Sequence, residues 1–358
     1  MHSEDPTTND IENRAGENRG EDFRTGEMLG EALLSGERRA LAQAITLVES
    51  GRADHQRQAE GLLAKTLPHT GGAIRLGITG APGVGKSTFI EAFGLHLTEL
   101  GKRVAVLAVD PSSVRSGGSI LGDKTRMEEL SKHASAFIRP SPSGGTLGGV
   151  ARRTREAMLI CEAAGFDVVI IETVGVGQSE IKVAAMVDMF LLLLAPGGGD
   201  ELQGIKRGIM ELADLLIVNK ADGRLKEVAS QVAAEYAGAL GLLRPTTPHW
   251  SAKILTCSAL EVTGINDVWS AVTAHHRAFV EAEALAQRRD AQTRNWLWSE
   301  IEESLEAAFR ADPAVTGLLK EVENQVVCGQ LTPNRAAQRL LQAFRPNARP
   351  DHEPENQT

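Results

Sequence analysis

Short apolar runs alternate with longer amphipathic stretches through the middle of the chain. The runs lack the polar alternation of a half-exposed strand, and six of them stand out: Ile74–Thr79, Val104–Val109, Val168–Ile171, Phe190–Leu194, Leu215–Val218 and Ile254–Cys257. Such runs are typical of strands buried on both faces of a mainly parallel sheet, with helices covering each side. The pattern therefore predicts an α/β core.

Helical periodicity flanks this core on both sides. Apolar residues recur at helical spacing between Glu37 and Leu67, which predicts two helices before the first strand. The pattern becomes helical again beyond about Asp267, with breaks at Asp312-Pro313 and Leu331-Thr332-Pro333. A helical appendage of this kind commonly packs on its own core or on a second subunit, so we expect a homodimer.

Composition and charge narrow the class of protein. The 358 residues are 42% hydrophobic and 24% charged, with a formal net charge of −9, which argues against a general nucleic-acid binder. No apolar run approaches the roughly 20 residues that cross a bilayer, and the acidic N-terminal stretch lacks the features of a targeting peptide. We therefore expect a cytoplasmic protein with neither a membrane nor a nucleic-acid partner.

The cysteines and histidines give no sign of a disulfide framework or a metal site. Cys161, Cys257 and Cys328 are widely separated and odd in number, so we interpret them as buried small hydrophobic residues. The adjacent pair His275-His276 is interpreted as solvated helix surface.

A glycine-rich stretch between an apolar run and a helix-like segment fits the P-loop pattern G-x-x-x-x-G-K-[ST]: Gly80-Ala81-Pro82-Gly83-Val84-Gly85-Lys86-Ser87-Thr88. Glycines let the backbone N–H groups turn toward phosphate oxygens, and the following helix N-terminus adds partial positive charge. Lys86 is expected to reach the β- and γ-phosphates, and Ser87 to ligate Mg²⁺. The alternative is a glycine-rich turn that binds nothing.

Two further segments indicate which base is bound. The sequence Asn219-Lys220-Ala221-Asp222 follows a buried strand in the form NKxD. A carboxylate there can accept hydrogen bonds from the N–H groups of guanine, which adenine does not offer. Ser258-Ala259, after the last strand, resembles the loop that supports the guanine carbonyl through backbone N–H groups.

Carboxylates at the ends of other strands predict a magnesium site. Asp110 follows the second apolar run, Asp123 lies in a glycine-rich connection, and Glu172 follows the third run. Mg²⁺ prefers oxygen ligands and retains several waters, so a few carboxylates beside phosphate suffice. The alternatives are an N-cap for Asp110, a solvated loop acid for Asp123 and a strand-end surface acid for Glu172.

Together these motifs resemble one group of P-loop GTPases, in which Glu replaces Asp in the third GTPase motif. Within that group the chain is similar to the methylmalonyl-CoA mutase accessory GTPases of the MeaB, MMAA and ArgK type. The similarity covers most of residues 30 to 345, and the motifs that carry it, besides the P-loop and NKxD, are Val106–Ser113, Gly117–Met127 and Glu172–Glu180.

The resemblance implies a GTPase of the SIMIBI class, which hydrolyses GTP to GDP with Mg²⁺ and assists adenosylcobalamin loading, protection or exchange in a partner mutase. Adenosylcobalamin would be bound mainly by that partner. Asp110, Asp123 and Glu172 would gather around the metal and the attacking water, and Gly175 would contact the γ-phosphate. Lys206 would supply positive charge from a mobile loop, its alternative being a solvated lysine. Two other functions stay open, a metal-delivery GTPase and a transport-linked kinase.

The expected organisation has five segments. They are an acidic disordered tail (1–28), an N-terminal helical segment (29–70), the P-loop GTPase domain (71–267), a C-terminal helical dimerisation segment (268–345) and a disordered tail (346–358). Residues 1–28 hold eight acidic residues against three arginines, a composition that cannot bury enough surface to offset its ordering entropy.

Overall fold

The computed structural model describes residues 6–109, 127–140, 147–173, 179–197, 207–242 and 247–344. The described strands are β1 Ile74–Gly80, β2 Val104–Val109, β3 Ala136–Arg139, β4 Val168–Thr173, β5 Met189–Leu194, β6 Leu215–Val218 and β7 Lys253–Thr256. The described α-helices are α1 Pro6–Leu34, α2 Arg38–Glu49, α3 Ala53–Thr66, α4 Lys86–Glu99, α5 Glu128–Lys132, α6 Leu147–Ala163, α7 Ser179–Ala184, α8 Arg207–Leu212, α9 Lys226–Leu242, α10 Ile265–Glu281, α11 Ala284–Ala311, α12 Pro313–Val327 and α13 Pro333–Ala343.

The seven described strands form one sheet in the order β3-β2-β4-β1-β5-β6-β7, and every pairing is parallel. This confirms the predicted α/β core. The strand β3 was not predicted, because it is an edge strand of four residues in which only alternate positions are buried. Because all strands run the same way, their carboxyl ends meet at one edge, where ligands bind in open α/β sheets.

Helices cover both faces of the sheet. On one face α4 and α10 contribute Phe89, Phe93 and Phe279 to a core cluster that also contains Ile78 and Ile170. On the other face α2, α3, α6 and α7 pack against alternate residues of the same strands, and contribute Ile45, Leu62, Ile160 and Val183. The two helices predicted before β1 are therefore part of the core that buries the sheet.

The prediction of a disordered tail over residues 1–28 is wrong within the described part of that segment. The helix α1 runs through it, and Asp22 forms an ion pair with Arg57 of α3 at 2.7 Å. A Cβ added to Gly26 would lie 1.9 Å from the Gln58 carbonyl oxygen, and one added to Gly61 would lie 2.1 Å from the Phe23 carbonyl oxygen. The two glycines allow the helix backbones to touch, and composition alone does not reveal this contact. The tail predicted at 346–358 lies outside the described residues.

The boundary predicted at residue 268 also differs from the structure. The chain divides into two compact units, Met1–Gln292 and Thr293–Thr358. The helix α10 crosses residue 268 and buries Val268, Val272 and Phe279 in the core of the first unit. Since these side chains complete the sheet's cover, α10 belongs to the nucleotide-binding unit.

The second unit contains the helix breaks that the sequence predicts. Asp312 caps α12 by accepting hydrogen bonds from the N–H groups of Ala314 and Val315, and Thr332 caps α13. Each helix has proline in its first turn, where a missing N–H costs nothing. In neither unit do the described residues include a helix long and apolar enough to cross a membrane.

Candidate functional site

The predicted P-loop joins β1 to α4 at the carboxyl edge of the sheet, beside its central strand. Gly83 and Gly85 have φ values of +84° and +91°, a conformation that glycine adopts without steric cost. The helix α4 begins at Lys86, and among the described residues no side chain caps its N-terminus. Its first N–H groups lack intrahelical acceptors, so this end of the helix is suited to binding an anion.

Lys86 lies within the P-loop. Its Nζ donates to the carbonyl oxygens of Gly80 at 2.7 Å and Ala81 at 3.2 Å. The ammonium group is therefore held at the mouth of the loop, next to the first N–H groups of α4. Positive charge and N–H donors converge there as phosphate recognition requires.

Asn219 connects the P-loop to the loop that follows β7. Its side chain is 1% exposed, and its Nδ2 donates to the Val84 carbonyl at 3.0 Å. Its Oδ1 accepts from the Ala259 N–H at 3.2 Å and from the Cys257 thiol at 3.6 Å. The amide thus holds three segments of the protein together.

The neighbours of Asn219 are fixed by local contacts. Lys220 has a φ of +60°, and its Nζ donates to the Gly83 carbonyl at 2.7 Å. The Ser258 hydroxyl donates to Asp222 Oδ2 and accepts from the Glu261 N–H. A carboxylate has two oxygens, so Asp222 can be oriented by Ser258 and still accept hydrogen bonds from a base.

Glu172 is buried near the end of β4, opposite Ile78 of β1 and Ala108 of β2. Side chains alternate along a strand, so Glu172 shares its face with Ile170, which packs in the same cluster as Phe89 of α4. Glu172 is therefore on the side of the sheet that carries the P-loop helix. This position contradicts the alternative of a strand-end surface acid.

Four predicted site residues, Asp110, Asp123, Gly175 and Lys206, lie outside the described residues. The structure therefore brings together the P-loop, Glu172, the NKxD segment and Ser258-Ala259, and the roles of the other four stay predictions.

The model of one protein family, described as Methylmalonyl Co-A mutase-associated GTPase MeaB, matches residues 41–314. The chain belongs to the MeaB family. It is accordingly a P-loop GTPase, which binds GTP and hydrolyses it to GDP.

Relatives of this MeaB-family chain cover nearly all of it. A Caulobacter vibrioides protein named as a GTPase is 58% identical over 318 residues, covering 89% of this chain and 97% of that protein. A Mus musculus protein named Methylmalonic aciduria type A homolog, mitochondrial, is 48% identical, covering 87% and 78%. The crystal structure of a LAO/AO transport system kinase is 41% identical with a TM-score of 0.73, covering 89% and 97%.

The described donors would fit a magnesium ion. Ser87 offers a hydroxyl in the first turn of α4, and Glu172 offers a carboxylate on the same face of the sheet. Both are hard oxygen ligands of the type that Mg²⁺ prefers. Among the described residues no group of three His, Cys, Asp or Glu side chains is arranged to hold a metal by itself, so phosphate and water oxygens would complete the coordination.

Two interpretations of single residues need correction. Cys161 and Cys257 are buried as predicted, but Cys328 is exposed. Burial raises the pKa of Cys257 to about 12, so its thiol stays protonated and donates to Asn219. His275 is 1% exposed, not solvated helix surface. The sequence carried a signal for His275 that we missed, since it lies at helical spacing from Val268, Val272 and Phe279.

Proposed function

We propose that this MeaB-family GTPase is a chaperone and molecular switch that assists adenosylcobalamin loading, protection or exchange in methylmalonyl-CoA mutase. The family's description names that mutase, and the mouse relative is named for methylmalonic aciduria. A GTPase suits this task because its GTP and GDP forms hold the loops around the γ-phosphate differently. The cobalamin is bound mainly by the mutase.

The observation that supports the proposal is that Asn219 links the P-loop to the loop after β7. Both loops lie at the edge of the sheet where β4 ends with Glu172 and Thr173. A nucleotide seated in the P-loop would contact both the Asp222 side, which reads the base, and the Glu172 side, which senses the γ-phosphate. We propose that binding at this edge is coupled to the segments that follow β4 and β5, and that the partner mutase exerts its effect there.

We assign the following roles to the chain's own residues during hydrolysis. Lys86 binds the β- and γ-phosphates, and Asp222 selects guanine. Ser87, Asp110, Asp123 and Glu172 would hold Mg²⁺ and its waters, and the ion, when bound, would neutralise phosphate charge. Glu172 also orients the attacking water, Gly175 contacts the γ-phosphate, and Lys206 adds positive charge as its loop closes.

The experiment is GTP hydrolysis by the purified protein, alone and with methylmalonyl-CoA mutase present. We expect a slow GTP-specific rate that rises at least about tenfold with the mutase, because a partner commonly completes such sites. Lys86→Ala and ATP are the controls for the P-loop and the base. A mutase that neither binds nor changes the rate would exclude it as the client.

A transport-linked kinase is the second candidate, because one similar solved structure is named a LAO/AO transport system kinase. A kinase would transfer the γ-phosphate of GTP to an acceptor protein or to itself. Incubation with GTP radiolabelled in its γ-phosphate distinguishes the kinase from the switch. A switch releases all of the label as inorganic phosphate, whereas a kinase leaves label on the acceptor protein or on itself.

We also propose that the second unit, Thr293–Thr358, mediates homodimer formation. Its described helices leave large apolar side chains in solvent, with Trp298 63% exposed and Leu305 57% exposed. Clusters of exposed apolar side chains commonly mark contact surfaces.

A further inference from the structure

Two threonines meet at the point where the P-loop strand and the Glu172 strand end. Thr173 Oγ1 of β4 donates to Thr79 Oγ1 of β1 at 2.7 Å, and both residues are almost fully buried, at 0% and 1% exposed. Gly80, the first residue of the P-loop motif, directly follows Thr79. Glu172 directly precedes Thr173. The hydroxyl pair thus joins the two strands beside the residues that we assign to phosphate and metal binding.

The pair extends the strand pairing beyond the backbone ladder. The register of β1 and β4 runs as far as Ile78 opposite Glu172, and the threonines are the next residues along each strand. Past this point β1 leads into the P-loop, and β4 ends at Thr173. A side-chain bond at this position limits how far the two strand ends can move apart.

The hydroxyls are on the opposite face of the sheet from Glu172. Glu172 shares the α4 face with Ile170, whereas Ile171 packs on the face covered by α2 and α6. Alternation along the strand puts Thr173 with Ile171. The pair therefore does not belong to the set of groups that contacts nucleotide, and it acts from behind the site.

Packing alone does not require hydroxyls here. In the same row across the sheet, Thr173 is opposite Val109 of β2 and Thr79 is opposite Leu192 of β5. Valine has nearly the shape of threonine and the same β-branched preference for strands. Replacing both partners of a buried hydrogen bond by apolar groups of that shape is commonly neutral or stabilising. What the hydroxyl pair adds is a hydrogen bond that fixes the distance between the ends of β1 and β4, and two valines would not form it.

We propose that Thr79 and Thr173 are positioning residues for GTP hydrolysis, whose hydrogen bond sets the spacing between the P-loop and Glu172. The inference rests on the role proposed for Glu172 and is independent of the partner mutase. Small displacements of this kind are costly, because misplacing reacting groups by about 1 Å can lower a rate by about 100-fold.

The test is single-turnover GTP hydrolysis, without mutase, by Thr79→Val, Thr173→Val, the double valine variant and the two serine variants. We expect the single-turnover rate constant of each valine variant to fall by about tenfold or more. The affinity for a fluorescent GDP analogue should change by less than about threefold. The double variant should be no slower than either single one, because both changes break the same bond. The serine variants, which keep the hydroxyl, should recover most of the rate.

Thr66→Val is the matched control, since Thr66 is fully buried and its hydroxyl donates to the Leu62 carbonyl within α3. The Thr66→Val variant should have a changed thermal stability and an unchanged single-turnover rate constant. A double valine variant that hydrolyses GTP at the wild-type rate would overturn the inference. So would a rate loss that is matched by a loss of GDP affinity. Glu172→Gln is measured in parallel, and full activity in that variant would refute the Glu172 assignment and this inference together, whatever the mutase does.

Discussion

Asn219 donates its side-chain amide to the Val84 carbonyl, 3.0 Å away, so that one buried residue joins the segment after β6 to the P-loop. The same amide accepts from the Ala259 N–H. Three loops from three strands are therefore held by a side chain that need not touch the nucleotide. We propose that the geometry of both phosphate and base recognition depends on it.

Asn219→Ala should weaken GDP binding by about 10- to 100-fold. The change leaves the Val84 carbonyl and the Ala259 N–H without their buried partner, and each unmade buried hydrogen bond costs about 1–3 kcal/mol. Titration of a fluorescent GDP analogue measures the effect. Asn324→Ala, on the exposed surface of α12, is the control, and an Asn219 variant that binds GDP as tightly as this control would refute the bridging role.

Asp222→Asn should change which base is accepted. The carboxylate accepts hydrogen bonds from the N–H groups of guanine, whereas an amide presents a donor that suits the second carbonyl of xanthine. We expect GTP affinity to fall by about 100-fold or more and XTP to become the better substrate. Hydrolysis of the two nucleotides is compared in the variant and the wild type. Equal losses for both would show that Asp222 supports the loop without reading the base.

Gly61→Ala should destabilise the first unit. A Cβ at this position would lie 2.1 Å from the Phe23 carbonyl oxygen, so α1 and α3 must move apart, at a cost of about 1–3 kcal/mol. The free energy of unfolding in urea measures it. Gly20→Ala is the matched control in α1, since nothing lies within 4 Å of its Cβ position. Helix propensity should make that variant slightly more stable, and equal behaviour of the two variants would contradict the close helix contact.

His275 should make stability depend on pH. Burial, and then the charge of Arg288, lower the pKa of His275 to about 3, with smaller effects from Asp188 and His276, and Asp214 Oδ1 lies 3.9 Å from its Nε2. Since the unfolded pKa is about 6.5, the unfolded state binds more protons between about pH 6.5 and 3. Stability is therefore lost as the pH falls through that range, by up to about 2 kcal/mol between pH 7.5 and 5.

His275→Phe removes this titration and retains an aromatic ring for the stacking on Phe279, whose centroid is 4.4 Å away. The difference in unfolding free energy between pH 7.5 and 5 should therefore be smaller in the variant than in the wild type. His69→Phe, at an exposed position, should leave the difference unchanged. Identical pH profiles for all three proteins would mean that the pKa of His275 is the same in the folded and unfolded states.

Trp298→Ser should convert the proposed homodimer to a monomer. Trp298 and its neighbour Leu297 are 63% and 59% exposed in the second unit, and burial of such side chains supplies much of the free energy of association. Light scattering after size exclusion gives the mass. Leu100→Ser, a half-exposed apolar position in the first unit, should remain dimeric. A wild-type mass of a single chain would exclude the homodimer.

The sequence by itself determined the α/β core, the P-loop, the NKxD segment and the family. Each of these is encoded locally, because a doubly buried strand requires a continuous apolar run and a phosphate loop requires glycine at fixed spacing. The caps at Asp312 and Thr332 were predictable for the same reason. The sequence of residues 219–222 predicts a base-recognition motif. It does not predict that the Asn219 side chain holds loops together.

Only the tertiary structure decided what depends on residues far apart in the chain. The helix α1 is ordered against α3 because Gly26 and Gly61 come together, and α10 belongs to the core because the sheet needs its apolar face. The contact between Thr79 and Thr173 joins residues 94 positions apart. Strand order sets such contacts, and strand order follows from packing the whole sheet, which no local pattern specifies.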